Sequence, residues 1–200
     1  MEGYHGTKPQ SLESILKTKT INVTSFSITG DFIIKDKQSL PNDLGQGLYL
    51  FVDDDSKGYC GLTSAKSYAR IYRSENRKIG VIKFKINCEN INDLNMSHPQ
   101  SIKFFNTYKQ KYYNRVKSSL SRLKKNRALD RYNLDGIFLE HLLRYNGNFS
   151  QINVVSCDSY VPLTQEKPRP ISSIPNGREV CVRDTTMIDW ANTRRVYNGL

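Results

Sequence analysis

The sequence predicts an α+β domain, with strands towards both ends of the chain and a long basic helix between them. Its strand-like segments do not alternate regularly with helices, as a doubly wound parallel sheet would require. Its 200 residues suit one well-packed domain, and we expect a single domain over 1–200. Hydrophobic residues make up 38% of the chain and charged residues 24%, as is ordinary for a globular protein.

Local patterns predict the elements of the first half. The run "GYHGT" at 3–7 is polar apart from Tyr4, which makes it a poor core strand. "QSLESILKT" has apolar residues at helical spacing, and either Pro9 or Ser11 can start that helix. Residues 20–44 are expected to be irregular. "QGLYLFV" and "KIGVIKFKI" are predicted strands, with a short helix, "TSAKSYARIY", between them.

The second half supplies three further strand candidates. They are "DGIFLEHL", "SQINVVS" and "REVCVRD", with a Pro-containing loop between the last two. The final segment, "DTTMIDWANTRRVYNGL", carries the chain's one tryptophan, Trp190. We expect Trp190 to anchor this segment to the core.

A basic helical insertion is predicted at about 100–131. From 101 to 129 the chain has nine Lys or Arg and no Asp or Glu. Apolar residues recur there at steps of three and four, so one stripe can face the core while the cations face water. The stripe consists of Phe105, Tyr108, Tyr112, Val116, Leu120 and Leu123.

The charge of the chain favours an anionic partner. Thirty Lys and Arg against 19 Asp and Glu give a net charge of +11, an excess that causes self-repulsion in the compact state. RNA or single-stranded DNA, bound through its phosphates, would suit the basic helix. The alternatives are that the excess cations form an ordinary solvated surface or that they dock an acidic protein. The cations expected to contact phosphates are Lys109, Arg115, Lys117, Arg122, Lys124 and Lys125.

Several classes of protein are disfavoured. The longest apolar runs fall far short of the roughly 20 residues of a membrane-spanning helix, and no signal peptide is evident, so we expect a cytoplasmic protein with no membrane partner. The four cysteines are widely separated without a CxxC pair, and no metal site is expected. The phosphate-binding loop GxxxxGK[ST] and the dinucleotide-binding motif GxGxxG are both absent from the sequence, so neither common nucleotide-binding fold is supported.

Three short motifs occur in order along the chain. They are His5-Gly6-Thr7, then "GQGLYLF" at 45–51, then "SAKSY" at 64–68. Together they resemble the ADP-ribosyltransferase fold of the diphtheria-toxin and poly(ADP-ribose) polymerase branch. The resemblance implies a split β-sheet core and NAD as co-substrate, with no metal. The basic helix lies outside the family pattern.

The resemblance also implies roles for residues of these motifs. His5 would bond the adenine-side ribose of NAD, and the backbone of Gly6, followed by Thr7, would hold the nicotinamide amide. Tyr49 and Tyr68 would flank the nicotinamide ring, whose positive charge favours an aromatic face.

An extra loop, "DDDSKGYCG", separates the second motif from the third. Because of this insertion, Tyr59 or Tyr72 could take the place of Tyr68.

The third catalytic position has two candidates. Glu179 opens the strand-like run "EVCV", which resembles the family's late strand with its glutamate, while Gln151 precedes a similar pattern. The glycosidic bond to nicotinamide breaks through an oxocarbenium-like state, which a carboxylate stabilises better than an amide. We therefore prefer Glu179, with Gln151 as the alternative.

The expected function is that of a mono-ADP-ribosyltransferase that acts on nucleic acid. RNA, such as messenger RNA, is favoured over single-stranded DNA as acceptor. The resemblance suggests a toxin of a toxin-antitoxin or phage-defence system, with an antitoxin protein as partner. A protein acceptor, a non-catalytic nucleic-acid-binding module and a metal-independent ribonuclease that uses His5 remain as alternatives.

Overall fold

The computed structural model describes residues 1–23, 25–35, 39–74, 78–125, 128, 133–162 and 172–199. Helices and strands alternate irregularly along these residues, so the predicted α+β class is confirmed. The helices are α1 (Pro9–Thr18), α2 (Gly61–Tyr72), α3 (Pro99–Arg122) and α4 (Asn133–Tyr145). The strands are β1 (Glu2–Thr7), β2 (Leu48–Val52), β3 (Ile79–Ile86), β4 (Asp93–Asn95), β5 (Val154–Ser159), β6 (Gly177–Val182) and β7 (Ile188–Gly199).

The strands form one seven-stranded sheet in the order β4-β5-β6-β2-β1-β3-β7. The β4–β5 pair is parallel, and the other neighbours are antiparallel. Six residue pairs join β1 to β3 and five join β2 to β6, but β1 and β2 pair at a single position, Tyr4 opposite Phe51. The sheet therefore consists of two half-sheets, β4-β5-β6-β2 and β1-β3-β7, that meet at one pair of residues.

Helices α1 and α2 cover opposite faces of this sheet. Side chains alternate between the two faces of a strand, and β2 follows this rule. Leu48 and Leu50 pack in one cluster with Leu12 of α1. Phe51 packs in another cluster with Ala65 of α2.

Helices α3 and α4 pack against the half-sheet that contains β5 and β6. Their shared core includes Val155 of β5 and Cys181 of β6. The predicted apolar stripe of α3 is confirmed: Phe105, Val116 and Leu120 are buried, and Tyr108, Tyr112 and Leu123 pack against the same cluster.

The prediction of a strand at "DGIFLEHL" is wrong, because this segment lies in α4. Every residue from Gly136 to Leu143 is buried. A helix that is buried on all sides shows no polar face, so its short apolar run cannot be distinguished from a buried strand by periodicity. The other predicted helices and strands occur as expected.

The C-terminal segment contains the 12-residue strand β7, which the sequence patterns did not predict. Trp190 does contact the core, with its ring edge-on to Phe84 at 5.9 Å. The basic helix begins at Pro99 and ends at Arg122. The end of the predicted insertion near 131 and most of the predicted Pro-containing loop, residues 163–171, lie outside the described residues.

The expectation that "GYHGT" makes a poor core strand is also wrong. The segment forms β1, an interior strand with neighbours on both sides. Gly6 is buried against α2, where a Cβ would overlap the carbonyl oxygen of Ala65 and lie 2.8 Å from the Cβ of Ala69. Glycine therefore lets the helix approach the strand, so β1 is interior despite its polarity.

We expect Gly6→Ala to destabilise the fold by about 2–3 kcal/mol, because the added methyl group forces α2 away from β1. Urea unfolding followed by Trp190 fluorescence would measure the change. Gly147→Ala is the matched control, since a Cβ there meets no atom within 4 Å, and it should change stability by less than about 0.5 kcal/mol. Equal effects of the two substitutions would contradict this account of Gly6.

Candidate active site

A gap opens in the sheet just beyond the single pair that joins the half-sheets. If the ladder between β1 and β2 continued past Tyr4 and Phe51, His5 would face Leu50 and Gly6 would face Tyr49. Instead, the His5 side chain reaches across, and its Nδ1 lies 2.9 Å from the carbonyl oxygen of Tyr49. The strands therefore diverge where the predicted His5 and Tyr49 motifs lie.

A cleft of about 460 Å³ passes through this gap. Residues of α1 and of α2 both line it, although the two helices cover opposite faces of the sheet. Five of the residues predicted from the sequence line the cleft: His5, Gly6, Tyr49, Tyr68 and Glu179. They come from β1, β2, α2 and β6, so segments that are far apart in sequence meet at one site.

The His5 ring is held in one tautomer. A carbonyl oxygen only accepts, so Nδ1 carries the proton and donates it to Tyr49, which leaves Nε2 as an acceptor. Burial lowers the pKa of His5, although the bond to Tyr49 acts in the opposite direction. The ring is therefore neutral near pH 7 and suited to accept a hydrogen bond from a ligand hydroxyl.

The Tyr49 hydroxyl is bound to the loop that precedes its own strand. It donates to the carbonyl oxygen of Gly45 at 2.8 Å and accepts from the backbone N–H of Leu44 at 3.0 Å. Burial raises the pKa of Tyr49, so this hydroxyl stays protonated. Since the hydroxyl is engaged, the aromatic ring is the part of Tyr49 that can serve a ligand.

The loop at 45–47 is fixed by a buried carboxylate that the sequence analysis did not identify. Glu140 of α4 is fully buried and accepts from the backbone N–H of Gln46 at 2.6 Å. Arg183 donates to both of its oxygens, at 2.5 and 3.1 Å, and Arg144 donates to one at 3.0 Å. Gly45 has φ +87° beside this carboxylate, a conformation that favours glycine.

Tyr68 is the tyrosine of α2 that faces the cleft. Its ring packs 5.8 Å from that of Phe51 and 4.9 Å from that of Tyr72, and burial raises its pKa. Tyr72 is 50% exposed, and neither Tyr72 nor Tyr59 is among the residues that line the cleft. Of the three alternatives, the structure thus brings Tyr68 together with His5.

Glu179 lies on β6, directly opposite Phe51 of β2. Burial raises the pKa of Glu179 to about 8, and the negative charge of Asp43 adds to the rise. Burial raises the pKa of Asp43 as well. Asp43 precedes the "GQGLYLF" motif in sequence, yet its electrostatic effect on Glu179 depends on the tertiary fold, which no local pattern shows.

Two predicted residues lie apart from the cleft lining. Thr7 is 8% exposed and is not among the lining residues, although it follows Gly6 in β1. Gln151, the alternative to Glu179, is exposed in the turn that precedes β5 and does not line the cleft.

The other two histidines also lie away from the cleft. His98 is exposed before α3. His141 bonds Tyr108 at 2.6 Å and the carbonyl oxygen of Gly30 at 2.9 Å. A ribonuclease mechanism with paired imidazoles therefore has no second histidine at this cleft.

The predicted basic residues of α3 differ in their surroundings. Lys109 forms an ion pair with Asp135 at 2.8 Å. Arg115 and Arg122 are exposed and line a separate groove of about 620 Å³ between α3 and residues 31–33. Lys117 and Lys124 are exposed, and Lys125 is half-buried.

The chain matches no protein-family model, and no curated protein and no solved structure is significantly similar to it. Among the helices of the described residues, none is long and apolar enough to cross a membrane. The same part of the chain holds no cluster of three His, Cys, Asp or Glu residues suited to a metal ion.

We expect Glu179→Gln to stabilise the protein increasingly as pH rises from 5 to 8.5. The folded chain binds the Glu179 proton up to about pH 8, whereas the unfolded chain releases it near 4.5, so the wild type loses stability between these values. Glutamine cannot ionise and avoids this loss. The difference in melting temperature, variant minus wild type, should grow by at least about 2 °C over this range.

Differential scanning calorimetry at the two pH values would measure this difference. Glu89→Gln, at an exposed carboxylate, is the control and should show no such growth. A Glu179→Gln difference that is the same at both pH values would show that the carboxyl group is not held protonated.

Proposed function

We propose that this protein cleaves NAD and transfers its ADP-ribose to an acceptor, as a mono-ADP-ribosyltransferase. The observation that carries the proposal is the meeting of His5, Gly6, Tyr49, Tyr68 and Glu179 around one cleft. These residues come from β1, β2, α2 and β6, which are far apart in sequence. The thin junction between the half-sheets also agrees with the split sheet that the resemblance implies.

The cleft offers groups for the nicotinamide end of NAD. Where β1 and β2 diverge, backbone groups of Gly6 and Tyr49 border the gap instead of pairing with each other. The carboxamide of nicotinamide can form hydrogen bonds with these backbone groups, as a neighbouring strand would. The rings of Tyr49 and Tyr68 can pack against the cationic nicotinamide, and His5 Nε2 can accept from a ribose hydroxyl.

In the proposed reaction the bond between ribose C1′ and the nicotinamide nitrogen breaks. The electron pair leaves with nicotinamide, and positive charge develops on the ribose. Glu179, once ionised, accepts a hydrogen bond from a ribose hydroxyl and stabilises this charge. The acceptor then bonds to C1′ and releases its proton to solvent. The positive nicotinamide ring favours the ionised form of Glu179, although burial alone favours the neutral form.

The test is to incubate the protein with NAD that is labelled in its adenosine half and to measure nicotinamide release and label transfer. We expect Glu179→Gln to reduce the rate of nicotinamide release by about 10²–10³-fold, because the developing charge loses its carboxylate. Gln151→Ala should act as the wild type does, since Gln151 lies outside the cleft. Absence of nicotinamide release by the wild type with every acceptor would overturn the proposed function.

We propose nucleic acid, RNA before single-stranded DNA, as the acceptor. The support is the surface of α3, which carries no acidic residue and presents the exposed Arg115 and Arg122 along one groove. The two arginines are seven residues apart and lie on the same side of the helix. Such cations can bind successive parts of a phosphate backbone. The suggested roles as a toxin or in phage defence depend on this acceptor.

We expect the double substitution Arg115→Glu, Arg122→Glu to reduce label transfer to RNA at least about tenfold at low salt, because two phosphate contacts become repulsive. The slope of log activity against log salt should fall by about two. Nicotinamide release without RNA should not change, since neither arginine lines the cleft.

The matched control is Lys78→Glu with Arg194→Glu, which makes the same change in net charge at two exposed residues, just before β3 and on β7. Equal losses in the two double variants would indicate a general charge effect and would contradict a binding site on α3. Label found on protein, and not on RNA, would favour the alternative acceptor.

A further inference from the structure

Arg73 follows the last residue of α2 and lines the same cleft as Tyr68 and His5. Its guanidinium carbon lies 5.9 Å from the centre of the Tyr68 ring. Among the described residues that line the cleft, Arg73 is the one Lys or Arg, and Glu179 is the one Asp or Glu. The basic side chain and the acidic side chain of the cleft therefore lie on different segments, at the end of α2 and on β6.

The Arg73 guanidinium is close enough to hydrogen-bond the Tyr68 side chain, and a guanidinium has further N–H groups that can serve a ligand. Arg73 is exposed at the rim of the cleft, and no ion pair between described residues uses it. Its charge is close enough to act on His5: burial is the main reason for the lowered pKa of that ring, and Arg73 adds to it. A guanidinium in such a position can donate two parallel hydrogen bonds to a phosphate.

The wall of the cleft formed by α1 is rich in hydroxyl groups. Ser11, Ser14 and Thr18 all line the cleft, and Thr20 follows them. Their spacing of three and four residues places the first three on one side of the helix. Hydroxyls can donate to phosphate or accept from ribose, whereas the aromatic rings and Glu179 belong to the other segments of the lining.

We propose that Arg73 binds the diphosphate of a dinucleotide in this cleft. The inference rests on the proposed function, which assigns Tyr68 to the nicotinamide ring and His5 to the adenine-side ribose. In NAD the diphosphate joins the two ribose units, so it lies between the groups that these two residues bind. Arg73, beside both residues, carries the charge that this linker requires.

The experiment measures both catalysis and binding in the full chain. For Arg73→Ala, we expect the KM for NAD to rise about 10–100-fold, as for a lost charge-assisted hydrogen bond, while kcat changes less than about threefold. Affinity for ADP-ribose, measured by calorimetry, should fall by the same factor. Inhibition by nicotinamide, which lacks the diphosphate, should stay the same. Arg73→Lys should recover part of the affinity.

The control is Arg70→Ala, one turn earlier on α2 and not among the cleft residues, which should leave all these constants unchanged. An unchanged KM in Arg73→Ala, or equal losses for ADP-ribose and nicotinamide, would overturn the diphosphate site while the proposed function stands.

If the wild type releases no nicotinamide, the proposed function fails. ADP-ribose binding that is lost in Arg73→Ala would then still support the site, and absence of ADP-ribose binding to the wild type would overturn it.

Discussion

The hydrogen bond from His5 Nδ1 to the carbonyl oxygen of Tyr49 is the interaction on which the candidate site depends. It bridges two strands at the place where their own ladder has ended. The bond fixes the tautomer of the ring and the direction in which Nε2 can accept. It also satisfies a carbonyl group that would otherwise have no strand partner beside the gap. One side chain thus substitutes for the ladder and leaves room for a ligand.

Much of the fold could be predicted from local patterns. Helix α1 shows its buried side through helical spacing. Strand β2 is apolar on both faces, and its short length and preceding glycines indicate a strand. The sequence pattern of helix α4 does not distinguish it from a strand, because the helix is buried all round. Strand β7 has two Arg and two Asn among its 12 residues, so its pairing with β3, more than its composition, makes it a strand.

Some residues of the candidate site can likewise be predicted from local sequence, whereas others depend on tertiary contacts. His5, Tyr49 and Tyr68 belong to short motifs that can be recognised in sequence. Glu140 could not be recognised, since its task of holding the 45–47 loop depends on Arg183 and on α4. Removing either partner of such a buried ion pair leaves an uncompensated charge, so the position of this loop depends on residues outside it.

The separation of the two half-sheets has a consequence for how such a protein can diverge. Helices α3 and α4 pack on β2, β5 and β6 through the core that contains Val155 and Cys181, whereas His5 belongs to the other half-sheet. Sequence changes on the outer surface of α3 therefore leave the strand that carries His5 untouched. The surface of α3 can therefore evolve independently of the histidine strand, and one ancestral scaffold can give rise to descendants with different targets.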